Sequence, residues 1–143
     1  MQVKEVMSSK PEFLSADATI AETARSMREM NTGFARFALI SENDQIIGIV
    51  TDRDLVLRAM ADGKSLDDKI SSIETSKVLY CAEDDDVKEV LINMKEQHVQ
   101  RLIVLNNRQD KDCVGVVTLA DIADRSEDPE TNKCIVDCCR HYH

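Results

Sequence analysis

The sequence predicts an α+β protein made of two copies of one β-α-β-β-α unit, packed sheet to sheet. β-branched runs lead into Thr51–Asp54 and Thr118–Asp121, each of which begins with threonine and ends with aspartate, as expected where a strand is followed by a capped helix. Gly48, Thr51 and Asp54 recur, all at the same offset, as Gly115, Thr118 and Asp121. A match at fixed spacing indicates one structural unit used twice.

The same offset extends to the helices. It relates Asp17 to Asp84, Ile20 to Val87, Ala24 to Leu91 and Met27 to Met94. Ahead of the glycines the offset becomes shorter by two, which pairs Arg36 with Arg101 and Ala38 with Ile103. The second hairpin loop is therefore predicted to be two residues longer. The resulting domains are residues 1–64, residues 65–125, and a partly helical tail of residues 126–143.

The first copy follows the pattern of polar caps and apolar periodicity. Phe13 and Leu14 are predicted to be extended, and Asp17 or Thr19 to cap a helix that ends near Met30. Further predicted elements are strands over 34–40 and 45–51, a helix over 52–61 closed by Asp62 and Gly63, and a short capped connector helix over 65–68.

The second copy repeats this order. Its predicted elements are an extended piece over 78–81, a helix over 84–97, strands over 101–105 and 113–118, and a helix that begins over 119–124. Each unit has about sixty residues, which is too few to bury a good core alone. The two units are therefore expected to pack together and to leave clefts where strand ends meet helix starts.

Composition and net charge limit the kinds of partner that the protein can bind. The 143 residues are 43% hydrophobic and carry a net charge of −9, which argues against nucleic acid or an anionic membrane as the main partner. The sequence has no run of transmembrane length and no apolar leader at its start. A cytoplasmic location is expected. An odd number of cysteines, five, disfavours a secreted disulfide framework.

The stretches Gly48–Leu55 and Gly115–Ile122, together with Lys4–Met7, resemble tandem CBS domains, which are named after cystathionine β-synthase. The resemblance covers residues 3–125 and implies a Bateman-type regulatory module. Such a module binds adenosine-containing ligands such as AMP, ADP, ATP or S-adenosylmethionine in clefts between the repeats. In the family, the matching Thr and Asp serve the ribose and the neighbouring phosphate.

The residues themselves support these roles. The carboxylates of Asp54 and Asp121 suit two ribose hydroxyls, and Thr51 and Thr118 add a hydroxyl on the same side of each helix start. Phosphate requires cations, and the candidates are Arg36, Arg101, Arg53 and Lys10. The alternative is that the Thr and Asp residues only cap helices and the arginines are only surface charges.

Two departures from the family pattern stand out. Ala38 and Ile103 replace a proline that many members carry beside the adenine base, which affects the expected base contacts. In the second copy, Leu119 and Ala120 replace the charged pair Asp52 and Arg53. The two clefts are therefore expected to differ, and one of them could be structural only.

The tail lies outside the resemblance and allows two interpretations. Its soft ligands could hold zinc: Cys134, Cys138, Cys139, His141 and His143. Their spacing matches no strong zinc motif, which favours a fraying helix with free thiols. If a helix starts at Pro129, Cys134 and Cys138 lie on the same face of it, because they are four residues apart.

Three classes of function remain open. The leading one is a binding module that senses adenine nucleotides and regulates a separate protein. The second is a ligand-free structural or dimerisation module. An enzyme is the weakest, because the sequence shows no catalytic constellation and its four glycines cannot build a phosphate-cradling loop. Aliphatic residues on the helix after Thr51, namely Leu55, Leu57 and Met60, predict a homodimer.

Overall fold

The computed structural model describes residues 1–9, 13–29, 37–43, 45–73, 78–110 and 112–140. Its contacts divide the chain into two compact units. The first unit is Glu12–Val78, and the second combines Met1–Pro11 with Leu79–His143. The sequence boundaries after residues 64 and 125 stay a prediction.

The strands are β1 (Ser8–Ser9), β2 (Phe13–Ser15), β3 (Phe37–Glu42), β4 (Gln45–Thr51), β5 (Tyr80–Ala82), β6 (Arg101–Leu105) and β7 (Cys113–Thr118). The α-helices are α1 (Ile20–Glu29), α2 (Asp52–Asp54), α3 (Val87–Gln97), α4 (Leu119–Arg125) and α5 (Pro129–Arg140). A π-helical stretch, Leu55–Met60, continues α2, and two 3-10 turns cover Val3–Glu5 and Ile70–Ser72. The mixed α+β fold with two sheets confirms the predicted fold class.

The first unit contains a three-stranded sheet in the order β2-β3-β4. β2 runs parallel to β3, and β3 and β4 form an antiparallel hairpin. Apolar side chains from the sheet and α1 make its core, including Ile20, Met27, Ile40 and Val50. The hairpin thus directs Thr51 to the surface at the start of α2.

The second unit contains a four-stranded sheet in the order β1-β7-β6-β5. β5 and β6 are parallel, whereas β6–β7 and β7–β1 are antiparallel. Leu91 and Met94 of α3 and Ile122 of α4 are almost wholly buried in its core. Thr118 ends β7 at the start of α4, as Thr51 does in the first unit.

The segment that precedes each repeat packs in the unit of the other repeat. Val3 and Ile70 hold equivalent places in the two copies, and both are 0% exposed. The Val3 N–H donates to Asp85 O at 3.0 Å, and the Ile70 N–H donates to Ala18 O at 2.7 Å. Both segments therefore belong to the repeated unit. Each completes the core of the unit formed by the strands of the other repeat.

The strand register corrects the alignment of the repeats ahead of the glycines. Phe37 lies opposite Thr51 and Arg101 opposite Thr118, so Phe37, and not Arg36, is the structural counterpart of Arg101. This register makes the second hairpin connection longer by three residues, not by two. A bulge between Ile40 and Ser41 matches one between Val104 and Leu105, so the irregular ladder is common to both hairpins.

One helix start agrees with the prediction and one differs from it. Thr19 caps α1, because its Oγ1 accepts the Glu22 N–H at 3.0 Å. In the second unit Asp86 caps α3, so the helix begins at residue 87 and not at 84. The preceding Asp85 instead accepts the Ala82 N–H at 2.9 Å and closes the turn after β5.

The predicted connector helix over 65–68 is wrong. These residues form a turn in which the Ser65 N–H donates to Asp68 Oδ2 at 3.0 Å, and the helical turn comes later, at Ile70–Ser72. The predicted end of the first helix at Met30 and the start of the next strand at Phe34 lie outside the described residues. No helix of the described ranges is long and apolar enough to cross a membrane.

The tail forms α5, which begins at Pro129 as predicted and packs against α3 and α4. The Cys138 thiol is buried and lies 3.5 Å from the carbonyl oxygen of Leu91. Lys88 pairs with Asp128 at 3.4 Å, and Lys95 with Asp137 at 3.8 Å. The tail is therefore an integral helix of the second unit.

We expect Gly115→Ala to destabilise the second unit by about 1–3 kcal/mol, because overpacking forces the backbone to shift. An added Cβ would lie 2.5 Å from Ser8 O and 2.9 Å from Met7 Sδ. Chemical denaturation measures the loss, and amide hydrogen exchange should show weaker protection in β1 and β7. The sheet β2-β3-β4 serves as the internal control, and unchanged stability would contradict the close packing of β1.

Candidate functional site

The first candidate site is the junction of β4 and α2. Thr51 has extended backbone angles, and its Oγ1 accepts the Asp54 N–H at 3.1 Å. In return, Asp54 Oδ2 accepts the Thr51 N–H at 2.9 Å. This reciprocal capping box satisfies two backbone donors and fixes both side chains.

The junction of β7 and α4 repeats this geometry. Thr118 Oγ1 accepts the Asp121 N–H at 3.1 Å, and Asp121 Oδ2 accepts the Thr118 N–H at 3.0 Å. Both residues are partly exposed. The structure thus brings each predicted Thr–Asp pair together. It also shows that these residues cap the helices, the role that the sequence offered as the alternative to ligand binding.

Capping uses one carboxylate oxygen of each aspartate. At the first junction, the other oxygen, Asp54 Oδ1, lies 3.8 Å from Nε of Arg58. Arg125 holds the matching place in the second copy, but its Nη1 donates to Glu5 O at 3.2 Å. Sequence reasoning missed both arginines, although each follows its aspartate by four residues, the spacing of a helical ion pair.

The neighbours of the two threonines differ. Arg101 lies opposite Thr118 across the β6–β7 ladder and is partly buried, so its side chain starts on the face of the sheet that carries Thr118. Its counterpart in the first unit is Phe37. After the threonines, Asp52 is exposed, whereas Leu119 is buried with 5% exposure.

The other predicted cations are less well placed. Arg53 is exposed, and its N–H donates to the Asp52 carboxylate at 2.8 Å. Lys10 and Arg36 lie outside the described residues. Of the predicted phosphate ligands, Arg101 is the one that the described strand register puts beside a Thr–Asp pair.

An open cavity of about 420 Å³ lies elsewhere in the second unit. Residues at the starts of α3 and α5 line it, together with Arg125 and Ser126. Asp86 and Asp128 on its wall already cap these two helices. None of the predicted nucleotide ligands lines this cavity.

The cysteines of the tail do not converge in the described part of the chain. Cys138 is buried and Cys139 is exposed, so the two adjacent thiols diverge. Burial raises the pKa of the Cys138 thiol, and it raises that of Cys81 in β5 to about 12. The described residues contain no group of three potential metal ligands, and His141 and His143 lie outside them. A zinc site stays a prediction.

We expect Thr118→Ala and Asp121→Ala each to destabilise the protein by about 1 kcal/mol, since each removes one half of a helix cap. The double variant should lose less than the sum, because both changes break the same pair of hydrogen bonds. Urea denaturation measures all three values. Asp121→Asn is the matched control, since its amide oxygen keeps the cap, and strictly additive losses would contradict the reciprocal geometry.

Comparisons with known proteins agree with this arrangement. The family model for the CBS domain matches residues 3–60 and 70–128. An uncharacterized protein of Bacillus subtilis (strain 168) is 34% identical over 122 residues, which are 85% of this chain and 80% of that protein. The two family matches begin at residues 3 and 70, which differ by the same offset as Gly48 and Gly115.

Solved structures share the fold. The CBS domain pair of protein MJ0100, in complex with 5'-methylthioadenosine and S-adenosyl-L-methionine, is 26% identical, with a TM-score of 0.74 over 87% of this chain and 94% of that one. A CBS domain protein from Pyrobaculum aerophilum, complexed with AMP, is 22% identical, with a TM-score of 0.76 over 95% and 98%. The chain belongs to the CBS domain family and carries two copies of that domain.

Proposed function

We propose that the protein is a regulatory module that binds adenosine-containing ligands, namely AMP, ADP, ATP or S-adenosylmethionine, at its strand-to-helix junctions. The observation that carries this proposal is the repeated Thr–Asp pair, in which the cap uses one of the two carboxylate oxygens of each aspartate. The complex of the MJ0100 domain pair with two adenosyl compounds supports the class of ligand.

The chemistry of the pair suits a nucleoside. A carboxylate accepts hydrogen bonds only, so it pairs with the two hydroxyls of a ribose and repels a phosphate. Because the cap immobilises Asp54 and Asp121 before a ligand arrives, little side-chain entropy is lost on binding. Phosphate would instead contact Arg101, which lies beside Thr118 in the ladder.

The proposed role is sensing and not catalysis. The polar groups of both junctions cap helices, and they form no pair of nucleophile and base. A module of this kind acts on another protein through the free-energy difference that its ligand creates between two states. The alternative is a ligand-free structural or dimerisation module, which would have the same caps without nucleotide affinity.

We expect AMP, ADP, ATP or S-adenosylmethionine to raise the melting temperature, because a ligand that binds only the folded state stabilises it, by about 2.7 kcal/mol at a hundredfold excess over Kd. Asp54→Asn and Asp121→Asn should keep the cap and lose the acceptor for ribose. At the occupied site the change should weaken binding by about 1.5–3 kcal/mol, the size of a charged hydrogen bond.

Asp124→Asn is the control for this experiment, because it removes an exposed carboxylate from the same helix, α4. Its thermal shift should equal that of the wild type. If neither Asp54→Asn nor Asp121→Asn weakens binding, the ribose assignment is wrong. A melting temperature that responds to none of the four ligands would support the structural module instead.

We also propose a homodimer through the π-helical stretch. Val56 is 52% exposed, Leu57 is 49% exposed and Met60 is 76% exposed. Leu55, which the sequence placed with them, packs against the core of the first unit and does not belong to this surface. Three large apolar side chains on one short helix are typical of an interface.

Light scattering at tens of micromolar, about the range in which weak interfaces are populated, should give the mass of a dimer. Met60→Glu should shift the protein toward the monomer, because a charge is costly to bury in an apolar contact. Ile92→Glu, on the exposed face of α3, is the matched control and should leave the mass unchanged. A monomer mass for the wild type would rule out this dimer.

A further inference from the structure

The helix α5 lies beyond the second CBS match, which ends at residue 128, so the domain repeat does not account for it. We propose that α5 is a movable helix coupled to the second junction. It stays docked on α4 while a ligand occupies Thr118 and Asp121, and it opens more readily when this junction is empty. This inference rests on the proposed function, because it names the element whose position the bound ligand controls.

A single short helix connects α5 to the second junction. Helix α4 has seven residues, begins at the cap formed by Thr118 and Asp121, and packs against α5. Its buried residues Leu119 and Ile122 belong to the same apolar cluster as Cys138 of α5. A ligand that holds the first turn of α4 therefore also holds part of the surface on which α5 lies.

Few buried side chains hold α5 in place. Its buried residues are Thr131 and Cys138, and Cys134 and Ile135 are partly buried against the apolar cluster of the second unit. By comparison, α3 buries four apolar residues over a similar length. Elements with few buried contacts open at low free energy, while the rest of the domain stays folded.

The polar contacts of α5 add little to its docking. The Thr131 hydroxyl donates to Asp128 Oδ2 at 2.8 Å, a bond that lies within the start of α5 itself. Ion pairs of 3.4–3.8 Å join the exposed Lys88 and Lys95 of α3 to acidic residues at the start and in the middle of α5. Because exposed ion pairs contribute little to stability, α5 can open while the sheet and α3 remain folded.

The coupling is expected at the second junction only. Docking of α5 and binding of a ligand both order α4, so either event lowers the entropy cost of the other, by the same amount of free energy. In the described residues 45–73 of the first unit, the helix that matches α4 ends at Met60. A turn over 61–63 follows it, and no helical residue comes before Ile70. The first junction thus has no helix in the place of α5.

Alkylation of thiols in the full chain measures the opening of α5. Cys138 is buried and reacts only when α5 opens, whereas its neighbour Cys139 is exposed and reports the rate of an accessible thiol. Cys81, which is buried in β5, reports the opening of the sheet. Mass spectrometry with fragmentation follows each cysteine during reaction with iodoacetamide. We expect Cys138 to react more slowly than Cys139 and faster than Cys81.

A ligand should slow the reaction of Cys138 and leave that of Cys139 unchanged. AMP, ADP, ATP and S-adenosylmethionine are each added at saturation. Any of them that raises the melting temperature should lower the rate at Cys138 by about fivefold or more, which is the lower end of typical coupling between two sites. Asp121→Asn should abolish this effect, and Asp54→Asn should retain it.

A matched pair of variants on α5 tests the docking itself. Ile135→Ala should raise the rate at Cys138 by about fivefold, because a partly buried side chain loses part of its apolar contact. Val136→Ala is the control, since Val136 is 51% exposed on the next residue of the same helix. It should leave the rate at Cys138 unchanged.

The outcomes separate this inference from the proposed function. If a ligand raises the melting temperature but does not change the rate at Cys138, the inference is wrong and the proposed function stands. The same holds if Asp54→Asn, and not Asp121→Asn, abolishes the effect, or if Cys138 and Cys81 react at equal rates. If none of the four ligands raises the melting temperature, both are wrong.

Discussion

The hydrogen bonds between a threonine and an aspartate three residues later are the constraint on which both junctions depend. Each pair ties the last residue of a strand to the first turn of the next helix, with four bonds of 2.9–3.1 Å across the two copies. The bonds also hold one carboxylate oxygen of each aspartate, whereas the second oxygen takes no part in the cap. Stability and the proposed ribose contact therefore depend on the same side chain, and separating them requires a substitution, such as Asp to Asn, that retains the cap.

The segments that lead into the repeats have a comparable importance for the cores. Val3 and Ile70 are fully buried. The Val3 N–H donates to the turn before α3, and the Ile70 N–H donates to the turn before α1. The second unit therefore needs residues from the start of the chain, before the first repeat. The first unit needs the residues that link the two repeats. Removal of residues 1–9 would thus expose the core of the second unit, not that of the first.

The sequence predicted the elements that depend on local chemistry. The caps at Thr51 and Thr118, the strands before them and the helix start at Pro129 are confirmed, since each follows from polar groups and apolar periodicity within a few residues. The counterpart of Arg101 was wrong by one residue, because an alignment anchored on the glycines cannot register the loop length and bulge ahead of them. The π-helical winding after Asp54 also has no signal in helical periodicity, and Leu55, which the sequence placed on the surface, packs against the core.

The roles of Arg58 and Arg125 show how identical residues at matched positions acquire different functions. Both follow a capping aspartate by four residues, so helix geometry alone would give each the same ion pair. In the second unit the carbonyl oxygen of Glu5 lies within 3.2 Å and accepts from the arginine. The matching residue in the first unit is Ser72, whose hydroxyl donates to Lys69 O at 2.7 Å, and Arg58 there stays near Asp54. The difference between the two junctions thus originates in the packing of the leading segments, and not in the Thr–Asp pairs themselves.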